Sequence, residues 1–306
     1  MKATRKLHLV LALGLLGPLL AALLGGAIHR KQNQNNLRII SSGVEREILL
    51  VVPDDLDPAM PVPLVVTFHG GGLWPAAQRE LDGWHELAEE HGFLLAYPSG
   101  TRTLDLKPRR WRVMEPGTEL DEDVRFVEDL LETLQTRYKI DPDRVYANGL
   151  SNGGAMAFAL SCRLSTRFAA VGLVAPAQML PLDWCPTENP VPGIVFAGTQ
   201  DKLVPYRGGS TWVWHQPFAS IPAWTDSWAL RNRCGDFDER ERSPDVTLRS
   251  YRACAEPVLL YTIEGGGHTW PGGSPTAEWF LGRTTESISA TSEMWDFFSQ
   301  HRQASP

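Results

Sequence analysis

Ser151 sits in the run Gly149-Leu150-Ser151-Asn152-Gly153-Gly154. A serine between glycines two residues to either side is the pattern of a sharp turn that presents a hydroxyl for nucleophilic attack. The preceding run Arg144–Asn148 reads as a short buried strand, and Ala155–Leu160 after it reads as helix. Such a turn holds the serine in a strained conformation, and the glycines remove Cβ atoms that would collide there. The helix start behind Ser151 aims backbone N–H groups at negative charge forming nearby. The same glycines would suit an ordinary strand-to-helix turn, so the reading depends on partners for the serine.

A serine hydroxyl is a weak nucleophile at neutral pH; it needs a base within hydrogen-bond reach, and the base needs an orienting acid. With this kind of turn the chain order should be serine, acid, histidine. His268 lies in the glycine-rich stretch Glu264–Gly273, directly after the last predicted strand, where a loop can carry it over the sheet edge. The other later histidines are placed less well, His215 in a tryptophan-rich segment and His301 at the end of a C-terminal helix. Asp201 follows the predicted strand Gly193–Ala197, at the strand end where catalytic groups gather in open α/β sheets. Asp226 is the fallback acid, but it falls inside a predicted helix. His69-Gly70-Gly71-Gly72 follows the predicted strand Pro63–Phe68 and has the form of an oxyanion loop. One N–H from Gly71 or Gly72, with that of Asn152, would hold a developing oxyanion; each such donor is worth about 10²–10³ in rate. His69 itself reads as structural.

The elements that must position these groups are legible as apolar runs. Glu47–Val52, Pro63–Phe68, Phe93–Tyr97, Arg144–Asn148, Ala169–Ala175, Gly193–Ala197 and Val258–Ile263 read as strands. Their near-continuous Val, Leu and Ile content is that of strands covered on both faces. Trp84–Glu90, Glu122–Tyr138, Asn152–Leu164, Pro222–Arg233 and Ser289–His301 read as helices between them, with Val124, Val127, Leu130, Leu131 and Leu134 marking one buried face. This alternation predicts an α/β fold with a mostly parallel central sheet and helices on both faces. Residues 203–222, rich in Gly, Pro and Trp, read as an insertion near the active site or a plain connection.

The chain has 306 residues, 43% apolar and 21% charged, with a formal charge of −7. That size supports one large domain or two small ones, and no basic stripe offers a nucleic-acid surface. Lys2, Arg5 and Lys6 precede an almost wholly apolar stretch over residues 8–28, so residues 1–28 read as a secretory signal or as a retained membrane anchor. Residues 29–44 read as a polar spacer and lead-in, and 45–302 as the catalytic domain. Cys162, Cys185, Cys234 and Cys254 fit an exported, disulfide-bonded protein, secreted or periplasmic. Pairing by proximity would give Cys162–Cys185 and Cys234–Cys254, with four buried thiols as the alternative. No Cys-x-x-Cys spacing suggests zinc, and no metal site is expected.

Several stretches in order resemble the secreted esterases of the polyhydroxybutyrate depolymerase and feruloyl esterase family. They are Val65–Gly72, Gly92–Pro98, Asp143–Met156, Phe168–Val171, Gly198–Tyr206, Arg231–Cys234 and Tyr261–Pro271. The likeness spans roughly residues 45–302. It implies an α/β-hydrolase fold, a triad of Ser151, Asp201 and His268, and hydrolysis of carboxylic esters without a metal or organic cofactor. The linkers and fibronectin-like modules that polymer degraders often append have no counterpart here, which weighs against attack on solid polyester. The expected partner is thus a small-molecule or polymeric ester; oligomeric state is not legible. Trp270, next but one to His268, and Trp74, after the oxyanion loop, are candidate substrate-stacking residues, ahead of Trp111, Trp212 and Trp214 in other predicted loops. The same constellation would serve a peptidase or an acyltransferase, and a non-catalytic binding protein is the third reading.

Overall fold

All seven apolar runs enter one ten-stranded sheet, together with three strands that the apolar pattern does not announce. The computed structural model describes residues 34–101, 109–181, 184–185, 189–212 and 215–303. The apolar N-terminal segment and Trp214 lie outside these. The strands are β1 (Leu37–Ser41), β2 (Val44–Val51), β3 (Val62–Phe68), β4 (Leu94–Pro98), β5 (Ile140–Leu150), β6 (Ala170–Val174), β7 (Gly193–Gly198), β8 (Phe237–Ser243), β9 (Val246–Tyr251) and β10 (Val258–Ile263). The helices are α1 (Pro75–Asp82), α2 (Trp84–His91), α3 (Thr118–Arg137), α4 (Asn152–Arg163), α5 (Ile221–Arg231), α6 (Glu278–Leu281) and α7 (Ala290–Ser299).

The spatial order is β1-β2-β4-β3-β5-β6-β7-β10-β9-β8. Strands β4, β3, β5, β6, β7 and β10 run parallel, while β1, β2, β9 and β8 add antiparallel pairs at the two edges. Alternate residues of one strand enter opposite cores, as the pleat requires. Leu64, Val66 and Phe68 of β3 meet Val127 and Leu130 of α3 and Phe158 of α4 in one apolar cluster. Val65 points the other way, into a cluster with Trp84 of α2 and Met294 and Phe298 of α7. The sheet is therefore covered on both faces.

β1 lies within the stretch read as spacer and lead-in, so the sheet begins at Leu37, earlier than residue 45. Leu37, Ile39 and Ser41 are buried and Arg38 and Ile40 exposed, the alternation of a half-covered edge strand. β8 is mostly exposed and carries Asp238, Glu239, Arg240, Glu241 and Arg242, charges that protect a sheet edge from further pairing. Disulfides join Cys162 to Cys185 and Cys234 to Cys254, as proximity suggests. No helix among the described residues is long and apolar enough to cross a membrane.

Candidate active site

β5 ends at Leu150, α4 begins at Asn152, and Ser151 between them has φ 55° and ψ −115°. That left-handed φ is costly for a residue with a side chain and persists only where the surroundings impose it. Here the Ser151 N–H donates to the Val174 carbonyl at 2.8 Å, and the Ser151 carbonyl accepts from Ala155 and Ala177. The turn is so tight that a Cβ on Gly153 would stand 2.1 Å from the Phe68 carbonyl oxygen, and one on Gly149 would stand 2.5 Å from the Gly153 carbonyl carbon. Glycine at both positions lets the turn pack against the end of β3.

Asp201 and His268 come from loops after the neighbouring parallel strands β7 and β10. His268 Nδ1 lies 2.7 Å from Asp201 Oδ2, and both side chains are almost fully buried. The other oxygen, Asp201 Oδ1, accepts from the N–H groups of Leu203 and Val204 at 2.8 Å each. These two donors fix the carboxylate, which in turn orients the imidazole through Nδ1. The His268 loop is clamped from outside: the N–H groups of Gly267 and His268 donate to the carbonyls of Arg283 and Leu281. Asp226, the fallback acid, sits half-exposed on α5 and is bound by Arg249 and Tyr251, so it belongs to a surface ion-pair cluster.

His69 is wholly buried, and burial drives its pKa down to about 4. The neutral ring donates from Nδ1 to the Gly70 carbonyl at 2.8 Å and accepts at Nε2 from the Gly100 N–H at 2.9 Å. It is a brace for the glycine loop. Gly72 is used otherwise than the sequence suggests: its N–H donates to the Arg109 carbonyl at 2.8 Å, which removes it from the pair of candidate donors. Gly71 is left, and its Cβ position faces Asn152 Cβ at 3.6 Å. The Asn152 N–H, first in α4, has no preceding helix carbonyl to bond. The Asn152 side chain grips the Trp111 backbone in both directions, at 2.7 Å and 3.0 Å. Trp111 is buried and bonds the His69 carbonyl through Nε1. Its segment is held by Arg112, which with Arg46 flanks the buried carboxylate of Asp123.

A cavity of about 480 Å³ lies over these groups. Its wall includes Gly70–Leu73, Ser151, Asn152 and His268, with Leu150, Leu203, Met114, Phe280 and Leu281 giving it an apolar character. Among the described residues Ser151 Oγ has no hydrogen-bond partner, and catalytic bonds of this type often close only around substrate. Trp270 does not line the cavity. It is fully buried in the core on the α7 face, its Nε1 donating to Thr291, so adjacency to His268 in sequence does not translate into exposure. Trp74 immediately precedes α1, packs against the same core, and leaves Leu73 to face the cavity. Sequence reasoning missed Arg109, Arg110 and Met114, which reach the cavity from the segment before α3, and Phe280, which reaches it from α6, all without a motif of their own. Among the described residues no cluster of His, Cys, Asp or Glu side chains forms a metal-ligand set.

The parallel sheet with antiparallel edges, the strained serine turn and the helices on both faces define an α/β hydrolase. A solved thermostable esterase has the same fold, with a TM-score of 0.58 at 18% identity over 89% of this chain and 64% of that one. The profile described as esterase PHB depolymerase matches residues 51–179. A protein named as an esterase, NocK of Nocardia uniformis subsp. tsuyamanensis, is 31% identical over 271 residues, spanning 78% of this chain and 75% of its own length. Feruloyl esterase B of Piromyces equi is 27% identical over 235 residues; the match takes in 73% of this chain but only 42% of that protein. The chain belongs to the esterase PHB depolymerase family and is a carboxylic ester hydrolase.

Proposed function

We propose that this chain is a serine esterase acting through Ser151, His268 and Asp201, on esters of short hydroxyalkanoates or hydroxycinnamates. The observation that carries the reading is the fixed Asp201–His268 pair opening on the same cavity as the strained Ser151. Ser151 Oγ attacks the ester carbonyl carbon while His268 takes its proton at Nε2. Asp201 holds the tautomer and stabilises the imidazolium. The tetrahedral oxyanion rests on the N–H groups of Gly71 and Asn152. Collapse breaks the bond to the leaving alcohol, which receives the proton from His268. Water, deprotonated by the same histidine, then attacks the acyl-enzyme, and the acid and free Ser151 are released.

The named relatives include feruloyl esterases, which supports an aromatic acyl group as one substrate class. A cavity of about 480 Å³ is of a size that holds a small-molecule ester. The two disulfides favour an oxidising compartment, and we read residues 1–28 as the export signal or anchor, ahead of one catalytic domain. The test is kcat/KM across p-nitrophenyl acetate, butyrate and palmitate, and methyl ferulate. Preference for acetate, butyrate or ferulate is expected. Preference for palmitate would overturn the substrate reading, and turnover of peptides or amides above all esters would favour a peptidase.

A further inference from the structure

In a chain of net charge −7, the described residues that line the cavity over Ser151 include two arginines and no acidic residue. The two differ. Arg109 Nη2 lies 3.2 Å from Glu47 Oε2, so its charge is balanced within the fold. Arg110 is exposed, and its guanidinium has no hydrogen bond or ion pair with any described residue. On its far side Arg110 borders a second cleft at the start of α3, where Glu115 and Glu119 stand, yet neither pairs with it.

The backbone of Arg110 is held firmly. Its N–H and carbonyl both bond Thr101, at 3.1 Å and 3.0 Å. A Cβ on Gly100 would stand 2.9 Å from the Arg110 carbonyl, so glycine there permits the close approach. Gly100 in turn donates to His69. The backbone of Arg110 therefore belongs to the same hydrogen-bonded frame as the loop after β3, and its side chain, without a partner among the described residues, rises from a residue that borders the largely apolar cavity. A guanidinium offers a carboxylate two parallel N–H bonds, and beside apolar surface such a pair is worth more than in open water.

We propose that Arg110 is a specificity residue that selects esters bearing a free carboxylate on the acid or the alcohol part, such as half-esters of dicarboxylic acids and O-acyl hydroxy acids. This rests on the serine-esterase reading above. The test measures kcat/KM for wild type, Arg110→Ala and Arg110→Lys on two length-matched pairs. One pair is mono-p-nitrophenyl glutarate against p-nitrophenyl pentanoate. The other is 3-acetoxypropanoate against its methyl ester. In at least one pair the charged-to-neutral ratio should fall about tenfold in Arg110→Ala, be partly kept in Arg110→Lys, and fall with added salt in wild type. Each ratio is taken within one preparation, so partial misfolding does not alter it. Equal ratios in wild type and Arg110→Ala for both pairs, with ester hydrolysis intact, would overturn the role of Arg110 alone. Failure of wild type to hydrolyse any of the four esters would overturn this inference and the reading beneath it.

Discussion

Replacing Asp201 by asparagine keeps the shape of the side chain and inverts its chemistry toward His268. Oδ1 of Asp201 is held by two N–H donors, from Leu203 and Val204, at 2.8 Å each. The carbonyl of an asparagine must take that place, because turning its NH₂ toward two buried donors would cost about 1–3 kcal/mol for each donor left unmatched. The NH₂ then faces His268 Nδ1, which must accept rather than donate. The imidazole proton moves to Nε2, the nitrogen that accepts the serine proton in the proposed mechanism, so the base should be lost without loss of fold. A tautomer error of this kind lowers turnover by about 10⁴, or about 5 kcal/mol of transition-state stabilisation. The assay is kcat/KM for p-nitrophenyl butyrate near neutral pH, with thermal unfolding as the check on structure and Asp226→Asn as the comparison. A loss below about tenfold in Asp201→Asn, or an equal loss in Asp226→Asn, would refute the assignment of the acid.

Two further predictions follow from the packing around the site. Gly153→Ala places a methyl 2.1 Å from the Phe68 carbonyl oxygen, so the serine turn and the oxyanion loop must move apart; kcat/KM should fall at least about 100-fold and stability by about 1–3 kcal/mol, and wild-type behaviour in both would contradict the close contact. Asp82 is wholly buried, and burial raises its pKa to about 7 although Trp84, Tyr97 and Gln78 all donate to it. Because the folded pKa lies above the unfolded one, near about 3.9, this group stabilises the fold fully below that value and loses its contribution as pH rises through about 7. Asp82→Asn stays neutral, and its NH₂ can meet Gln78 Oε1, which is otherwise unpartnered. The variant should gain in Tm over wild type as pH rises from 4 to 8, and a Tm difference independent of pH would rule this out.

The central strands were legible because residues covered on both faces leave unbroken apolar runs, as in Val65 and Val66 of β3 or Val195 and Phe196 of β7. The edges were not. β1 has only a few residues against the core, and β8 exposes nearly every side chain, so neither carries an apolar signature. Within the site, Ser151, Asp201 and His268 could be picked out because strand ends and glycine turns mark where backbone must bend. What a side chain faces is set by contacts remote in sequence. Trp270 follows His268 closely yet turns into the core to bond Thr291. Gly72 looks equivalent to Gly71, but a carbonyl from Arg109 takes its N–H. Phe280 reaches the cavity from α6, far from any motif.

The most direct test of the account is covalent trapping at Ser151. Treatment with phenylmethylsulfonyl fluoride, followed by intact-mass measurement and peptide mapping, should give one adduct per chain on the peptide containing Ser151, with ester hydrolysis lost in proportion. Ser151→Ala should take no adduct and lose about 10⁶ in turnover while unfolding at the wild-type temperature. An adduct on another residue that tracks the loss of activity, or near-wild-type hydrolysis by Ser151→Ala, would contradict the account.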